Sequence, residues 1–276
     1  MYKRDGVETK ERAEERRTAA GPRRRRDDLL AAVIAHRQIA VVYQPQINPS
    51  TGAVEGVEAL ARWDRVAGAE QLFARAAAAG LSEPLSRLVQ SKALRAAAAW
   101  EGPLRRVRIS VNLLPDEILH EGYVDWFLDE VRAAGIDPKR VTVEITENVL
   151  LSDLDAVAVN LQRLRQAGIK VALDDFGTGY ASFAYLGSLP LDALKIDRGL
   201  ISKIGTNERN RIVVKSIFNL ARDLGLSIVA EGVESTSQLV LLAEWGCELY
   251  QGFLGAGALD EEELARFFAV SQANAA

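Results

Sequence analysis

The chain has 276 residues, nearly half of them hydrophobic, and 34 Lys plus Arg against 38 Asp plus Glu leave a formal charge of -4. That length suits one barrel-sized domain, and the slightly acidic balance excludes a global positive field that would gather a nucleic-acid polymer or an anionic membrane. A single cysteine, Cys247, and two histidines, His36 and His120, exclude a disulfide framework, zinc fingers, haem and histidine-based nucleophilic dyads, so catalysis must rest on carboxylates, lysine or hard metal ions.

Residues 1–26 are charged, short of large apolar side chains, and close on Arg23 to Arg26 after Gly21-Pro22, which is the composition of a linker or tail. The four arginines could form a patch for nucleic acid or lipid; a solvated hinge is the plainer reading of so short a run. No signal-peptide pattern is present and the run LLAAVIA is too short to span a bilayer, so the cytosol is the expected compartment.

DDLLAAVIAHRQ predicts a capped helix, and IAVVYQPQI and VEGVEALARW predict strands. A Gly/Ala-rich connection then leads to the helix EPLSRLVQSKALRAAAAW. Further on, VRISVNLL, VTVEITEN, KVALDDF, ALKID, SIVAEGV and CELYQGF are β-rich, and amphipathic stretches such as LDAVAVNLQRLRQAG and ERNRIVVKSIFNLARDLG lie between most of them. Residues 27–270 form one alternating unit and 271–276 a short C-terminal tail. About eight βα repeats without a Gly-rich nucleotide turn after the first strand predict an α/β fold of the TIM-like (β/α)8 type rather than an open doubly wound sheet.

In such a barrel the strand ends converge at one rim. The polar residues late in each strand segment are Glu58, Asn112, Glu144, Asp174, Asp175, Lys195, Glu231 and Gln251, about one per strand. Any one of them could simply mark a strand reaching solvent, but the repetition argues for a site. Five are carboxylates with only Lys195 as counter-charge, and two unit charges about 4 Å apart cost about 4 kcal/mol at an effective dielectric of 20. Divalent cations are the natural remedy, and an all-oxygen donor set without histidine or thiolate selects Mg2+ or Mn2+. On an extended strand, adjacent Asp174 and Asp175 would point to opposite faces, so the pair could serve two ions. Gly177 and Gly179 lack the phosphate-loop pattern and fit flexible joints around Thr178, or an ordinary tight turn, with Tyr180 beyond them.

These motifs together resemble the EAL domain, the cyclic di-GMP phosphodiesterase family, over roughly residues 27–268. They are YQP from Tyr43, EALARW from Glu58, SVN ending at Asn112, EITE from Glu144, DDFGTGY from Asp174, LKID around Lys195, AEGVE from Ala230 and QGF from Gln251. The resemblance implies a modified barrel with its first strand antiparallel to the rest, and hydrolysis of one phosphodiester of cyclic di-GMP to linear 5'-pGpG. It implies that Glu58, Asn112, Glu144 and Asp174 hold one ion, and that Asp174 and Asp175 hold a second. By the same similarity Lys195 orients the attacking water and Glu231 is the general base or a further metal contact. Glu147, with Thr178, anchors the DDFGTGY loop, while Gln44, Arg62, Glu234 and Gln251 line the substrate or support the site. It further implies a homodimer through the helices beside that loop. MYKRDG at the start resembles the closing helix of a GGDEF domain, and an upstream sensory or GGDEF domain is expected.

The chain departs from the family pattern in two places, the run DRVAGAEQLFARAAAAGL after Trp63 and GAGA from Gly255 to Ala258 in place of Ser-Arg-Pro. Neither removes a proposed metal ligand. Two rivals to an active enzyme are an inert receptor for the dinucleotide or a protein partner, and a different Mg2+ barrel enzyme of the enolising type.

Overall fold

The structure is a computed structural model, and it describes residues 26–151, 153–178 and 186–275. Nearly all of the expected tail, the joint at Gly179 and Tyr180 lie outside the described residues. Eight strands close into a barrel in sequence order: β1 Ala40–Ile47, β2 Val54–Arg62, β3 Arg108–Leu113, β4 Val141–Thr146, β5 Lys170–Phe176, β6 Ala193–Ile196, β7 Ser227–Ala230 and β8 Leu249–Tyr250. Strands β2 to β8 pair in parallel, whereas β1 is antiparallel to both of its neighbours, β2 and β8, so the modified barrel is what the chain forms.

The helices run α1 Asp28–Ala35, α2 Ala69–Ala79, α3 Ser82–Ala99, α4 Pro115–Leu119, α5 Tyr123–Ala134, α6 Leu154–Gln166, α7 Arg198–Ile201, α8 Glu208–Asp223, α9 Thr236–Glu244 and α10 Glu261–Ala275. The last includes 271–275, which the sequence pattern sets apart as a tail. Helix α2 corrects the reading of the segment after Trp63 as a plain connection. Its alanines favour helix, Gly68 precedes it, and Gly80 closes it in the left-handed conformation that lacks a Cβ penalty. It buries Leu72 and Ala76 against Leu30 and Ile34 of α1 and Leu85 and Val89 of α3, in a satellite core outside the main one.

Strand parity explains how the barrel is filled. Outward positions such as Ile109, Val111, Val143, Ile145, Val171, Leu173 and Leu194 are buried in the main apolar core with helix residues such as Phe127, Leu161 and Phe218. Inward positions in the same strands are Ser110, Thr142, Glu144, Ala172 and Lys195, which line a polar space of about 150 Å3 inside the barrel. A barrel interior is usually packed with branched apolar side chains; here its upper layers are given to charge.

Candidate active site

The strand ends bring Glu58, Glu144, Asp174, Lys195 and Glu231 together. Lys195 is 1% exposed, and its Nζ lies 2.8 Å from Glu144 Oε2, 2.9 Å from Glu231 Oε1, 3.0 Å from Asp174 Oδ1 and 3.3 Å from Glu58 Oε2. One ammonium thus faces four carboxylates, more than its three protons can satisfy equally. Gln251 Nε2 donates to Glu58 Oε2 at 2.7 Å and to Glu231 Oε1 at 3.3 Å, while Asn112 Nδ2 donates to Glu58 Oε1 at 2.9 Å. With its Nδ2 spent on Glu58, Asn112 has its amide oxygen, an acceptor, to offer a cation.

Adjacent Asp174 and Asp175 do not point to opposite faces as an extended strand requires. Asp175 has φ +57°, and the pairing of β5 with β6 shifts register between Leu173 and Phe176. This left-handed residue, tolerable for aspartate, turns both carboxylates toward one place. Carboxylate oxygens of Asp174, Asp175 and Glu231 lie within 4.8 Å of one another, and so do those of Glu58, Glu144 and Asp174. Asp174 belongs to both groups.

Burial dominates the protonation of these groups. It pushes Glu144 well above the usual carboxylate range against the pull of Lys195, with Glu58 and Asp174 repelling in the same direction as burial. Asp174 is raised by burial too, and Glu231 is pushed up to about 8 by burial and by the charges of Asp174 and Glu58, with Lys195 opposing. Asp175 rises to about 6 through burial and its neighbour Asp174. Burial also acts on Glu58, but Lys195 and the amides of Gln251 and Asn112 outweigh it and hold that carboxyl below its ordinary value. Burial works against the charge on Lys195, and the surrounding carboxylates more than reverse it, so the lysine stays protonated. Its first role in this arrangement is counter-charge; orienting a water would have to share the same protons.

Glu147 follows β4 and its Oε1 accepts from Gly177 N at 2.7 Å, tying the strand end to the start of the DDFGTGY loop. Thr178 Oγ1 donates to Asp175 O at 3.0 Å and closes that turn. Gly177 is a close-packed point rather than a joint: at φ +107° a Cβ there would come 2.3 Å from Leu200 Cδ1. Gln44, Arg62 and Glu234 sit outside the lysine cluster. Gln44 Nε2 donates to Ala256 O in the GAGA segment, Arg62 bonds to Ala61 O, and Glu234 pairs with Arg198 at 2.8 Å. Gln46 escaped the sequence reading; it is buried and donates to Gln251 Oε1 at 3.4 Å. Its alternation with Gln44 in QPQ is the signal that could have found it. A cavity of about 530 Å3 opens beside Asn112 and Asp175, with Phe73, Gln90, Pro115 and Asn148 in its wall.

The chain matches the EAL domain over residues 26–258. It belongs to the EAL domain family. The bifunctional diguanylate cyclase/cyclic di-GMP phosphodiesterase MucR of Pseudomonas aeruginosa is 35% identical over 240 residues, which is 85% of this chain and 35% of MucR. The chain therefore spans about a third of the length of the curated relatives it matches. The structure of the MucR phosphodiesterase in complex with c-di-GMP superposes on this EAL domain with a TM-score of 0.79 at 35% identity, covering 85% of this chain and 97% of that one. The manganese/cy-diGMP complex of BlrP1 from Klebsiella pneumoniae gives 0.72 at 32% identity over 80% of this chain and 56% of that one. Among the described residues no helix is long and apolar enough to cross a membrane.

Proposed function

We propose that this EAL domain is a metal-dependent phosphodiesterase that hydrolyses cyclic di-GMP to linear 5'-pGpG and so lowers the level of a second messenger. The observation that carries the reading is the set of carboxylates, buried ones from β2, β4 and β5 and the half-buried Glu231 just after β7, gathered around Lys195 with more negative charge than the lysine can balance. An all-oxygen cluster of excess charge fits Mg2+ or Mn2+, and the two carboxylate groups that share Asp174 fit a pair of ions. Glu58, Asn112, Glu144 and Asp174 would hold one, and Asp174 with Asp175 the other, with Glu231 within reach of the second. Bound there, the ions would supply Lewis acidity to a water and to the phosphate oxygens.

The chain's own groups do the rest. Glu231 Oε1, which accepts from Lys195 Nζ and Gln251 Nε2, would take a proton from the attacking water once the bound ions have drawn off its own. Lys195 keeps its charge and balances the acids around it, and Glu147 keeps Asp175 in place by gripping the next turn. Gln44 and Arg62 at the rim, with Glu234 after β7, would meet the substrate. A homodimer through the helices beside the metal loop and an upstream sensory or GGDEF domain belong to the same reading, as does a cytosolic location.

The test is incubation with cyclic di-GMP and Mg2+ or Mn2+ while 5'-pGpG is measured. Product in the presence of metal and none with a chelator supports the enzyme. Binding without product would make the domain a receptor, and absence of both binding and product would remove the reading.

A further inference from the structure

A second buried polar cluster lies between the barrel and helices α3, α4 and α5, on the outer side of β3. Gln90 of α3 is 1% exposed and sits on a buried helix face where Leu85, Leu88, Val89, Ala93, Leu94 and Ala97 surround the polar Ser86, Gln90 and Ser91. Its Nε2 donates to the backbone carbonyl of Asn112 at 2.9 Å and to Ser86 Oγ at 2.9 Å, and its Oε1 accepts from Tyr123 Oη at 2.9 Å. The carbonyl of Asn112 settles which way the amide faces, because a turned amide would set two acceptors against each other. Two residues further on, Leu114 N donates to Glu117 Oε2 at 3.0 Å, and Ser86 Oγ donates to the same oxygen at 2.8 Å.

These bonds fall where the barrel has opened. The pairing of β2 with β3 ends at Glu58 opposite Ser110, whereas β3 and β4 stay paired through Asn112 opposite Glu144 and Leu113 opposite Ile145. Asn112 thus has a strand partner on one side only, and the cavity of about 530 Å3 runs along the other. Into that gap Gln90 sends a single amide. Burying an amide, a hydroxyl and a phenol between helix and sheet adds little stability over apolar side chains of the same shape, so their presence calls for a role in geometry.

We infer that Gln90, itself oriented by Tyr123, is a positioning residue that holds the backbone of Asn112 so that its side chain meets Glu58 and a bound cation. The inference rests on the reading of Asn112 as a metal ligand. Gln90 would act through the backbone carbonyl of Asn112 and not as a ligand itself.

The experiment is calorimetric titration of the full chain with Mn2+, paired with the Mn2+ dependence of cyclic di-GMP hydrolysis and the thermal midpoint. Gln90→Leu should raise the Mn2+ concentration at half-saturation about tenfold, the scale seen when a partner supporting a ligand is removed. At saturating Mn2+ the KM for cyclic di-GMP should stay at its wild-type value. Tyr123→Phe should move the Mn2+ midpoint in the same direction by less, and it serves as the decisive variant should Gln90→Leu fail to fold. Leu161→Ala, a core truncation on α6, is the control that lowers the thermal midpoint without moving the Mn2+ titration. A folded Gln90→Leu or Tyr123→Phe protein that titrates like wild type, whatever its thermal midpoint, overturns the inference while leaving the proposed enzyme intact. A wild-type chain that neither takes up Mn2+ nor makes 5'-pGpG overturns both.

Discussion

The two buried polar clusters are built on opposite terms. Around Lys195, four carboxylates crowd one cation and nearly every acid is held above its normal range. Around Gln90, the amide and hydroxyls find partners, and Glu117 Oε1 is the one carboxylate oxygen there without one. A cluster with surplus negative charge is chemically suited to cations. A cluster whose donors and acceptors nearly cancel holds the frame still.

The contrast breaks most visibly at Lys195. Lys195→Met should destabilise the metal-free protein by about 3–5 kcal/mol, since it strands several buried acids, and added Mn2+ should recover part of that loss. Denaturant unfolding with and without Mn2+ measures both; equal stability of variant and wild type without metal would mean that the lysine is no counter-charge. Next in size, Glu58→Ala or Asp174→Ala should cut 5'-pGpG production by more than about a hundredfold while the circular dichroism spectrum stays native, because losing a ligand exceeds the cost of losing its support.

The other cluster predicts a smaller, pH-dependent effect. Burial lifts Glu117 to about 7, against the pull of its hydrogen bonds to Leu114, Ser86 and Gln90, from an ordinary 4.5. The folded chain therefore keeps a proton that the unfolded chain sheds, so stability falls as pH rises from about 4.5 to 7 and stays lower above it. Glu117→Gln removes that slope, and its stability relative to wild type should grow between pH 5 and pH 8 by on the order of 2–3 kcal/mol. A constant difference across that range would place the charge elsewhere. Last, Mn2+ affinity should climb as pH rises through about 6 and 8, because Asp175 and Glu231 must give up protons to a cation. Proton release in calorimetry, at most about tenfold in affinity per pH unit for each proton, checks it.

Much of the first cluster was legible in the sequence and almost none of the second. Strand ends advertise themselves: a period-two apolar run whose inward positions turn to Glu144 or Lys195 near its end announces both a strand and an inward polar tip. The alternation failed at Asp175, where one left-handed residue cancels the rule, and local sequence does not distinguish that from a continued strand. Helix α2 was hidden because its face is built largely from alanine and buries only Leu72 and Ala76. Gln90 gave no signal at all. Its meaning depends on a gap between β2 and β3 and on Asn112 22 residues away in sequence, and only the assembled barrel brings these together.

The reversed first strand also sets the direction of approach. Because β1 starts at Ala40 opposite Arg62, α1 comes to the barrel at the same rim as the acids, and Asp27 at its head is clasped by Arg75 of α2, whose guanidinium lies 4.7 Å above the Trp63 ring. A shift of α1 at that corner would be felt at the rim that carries the acids after a single helix, without having to cross the fold.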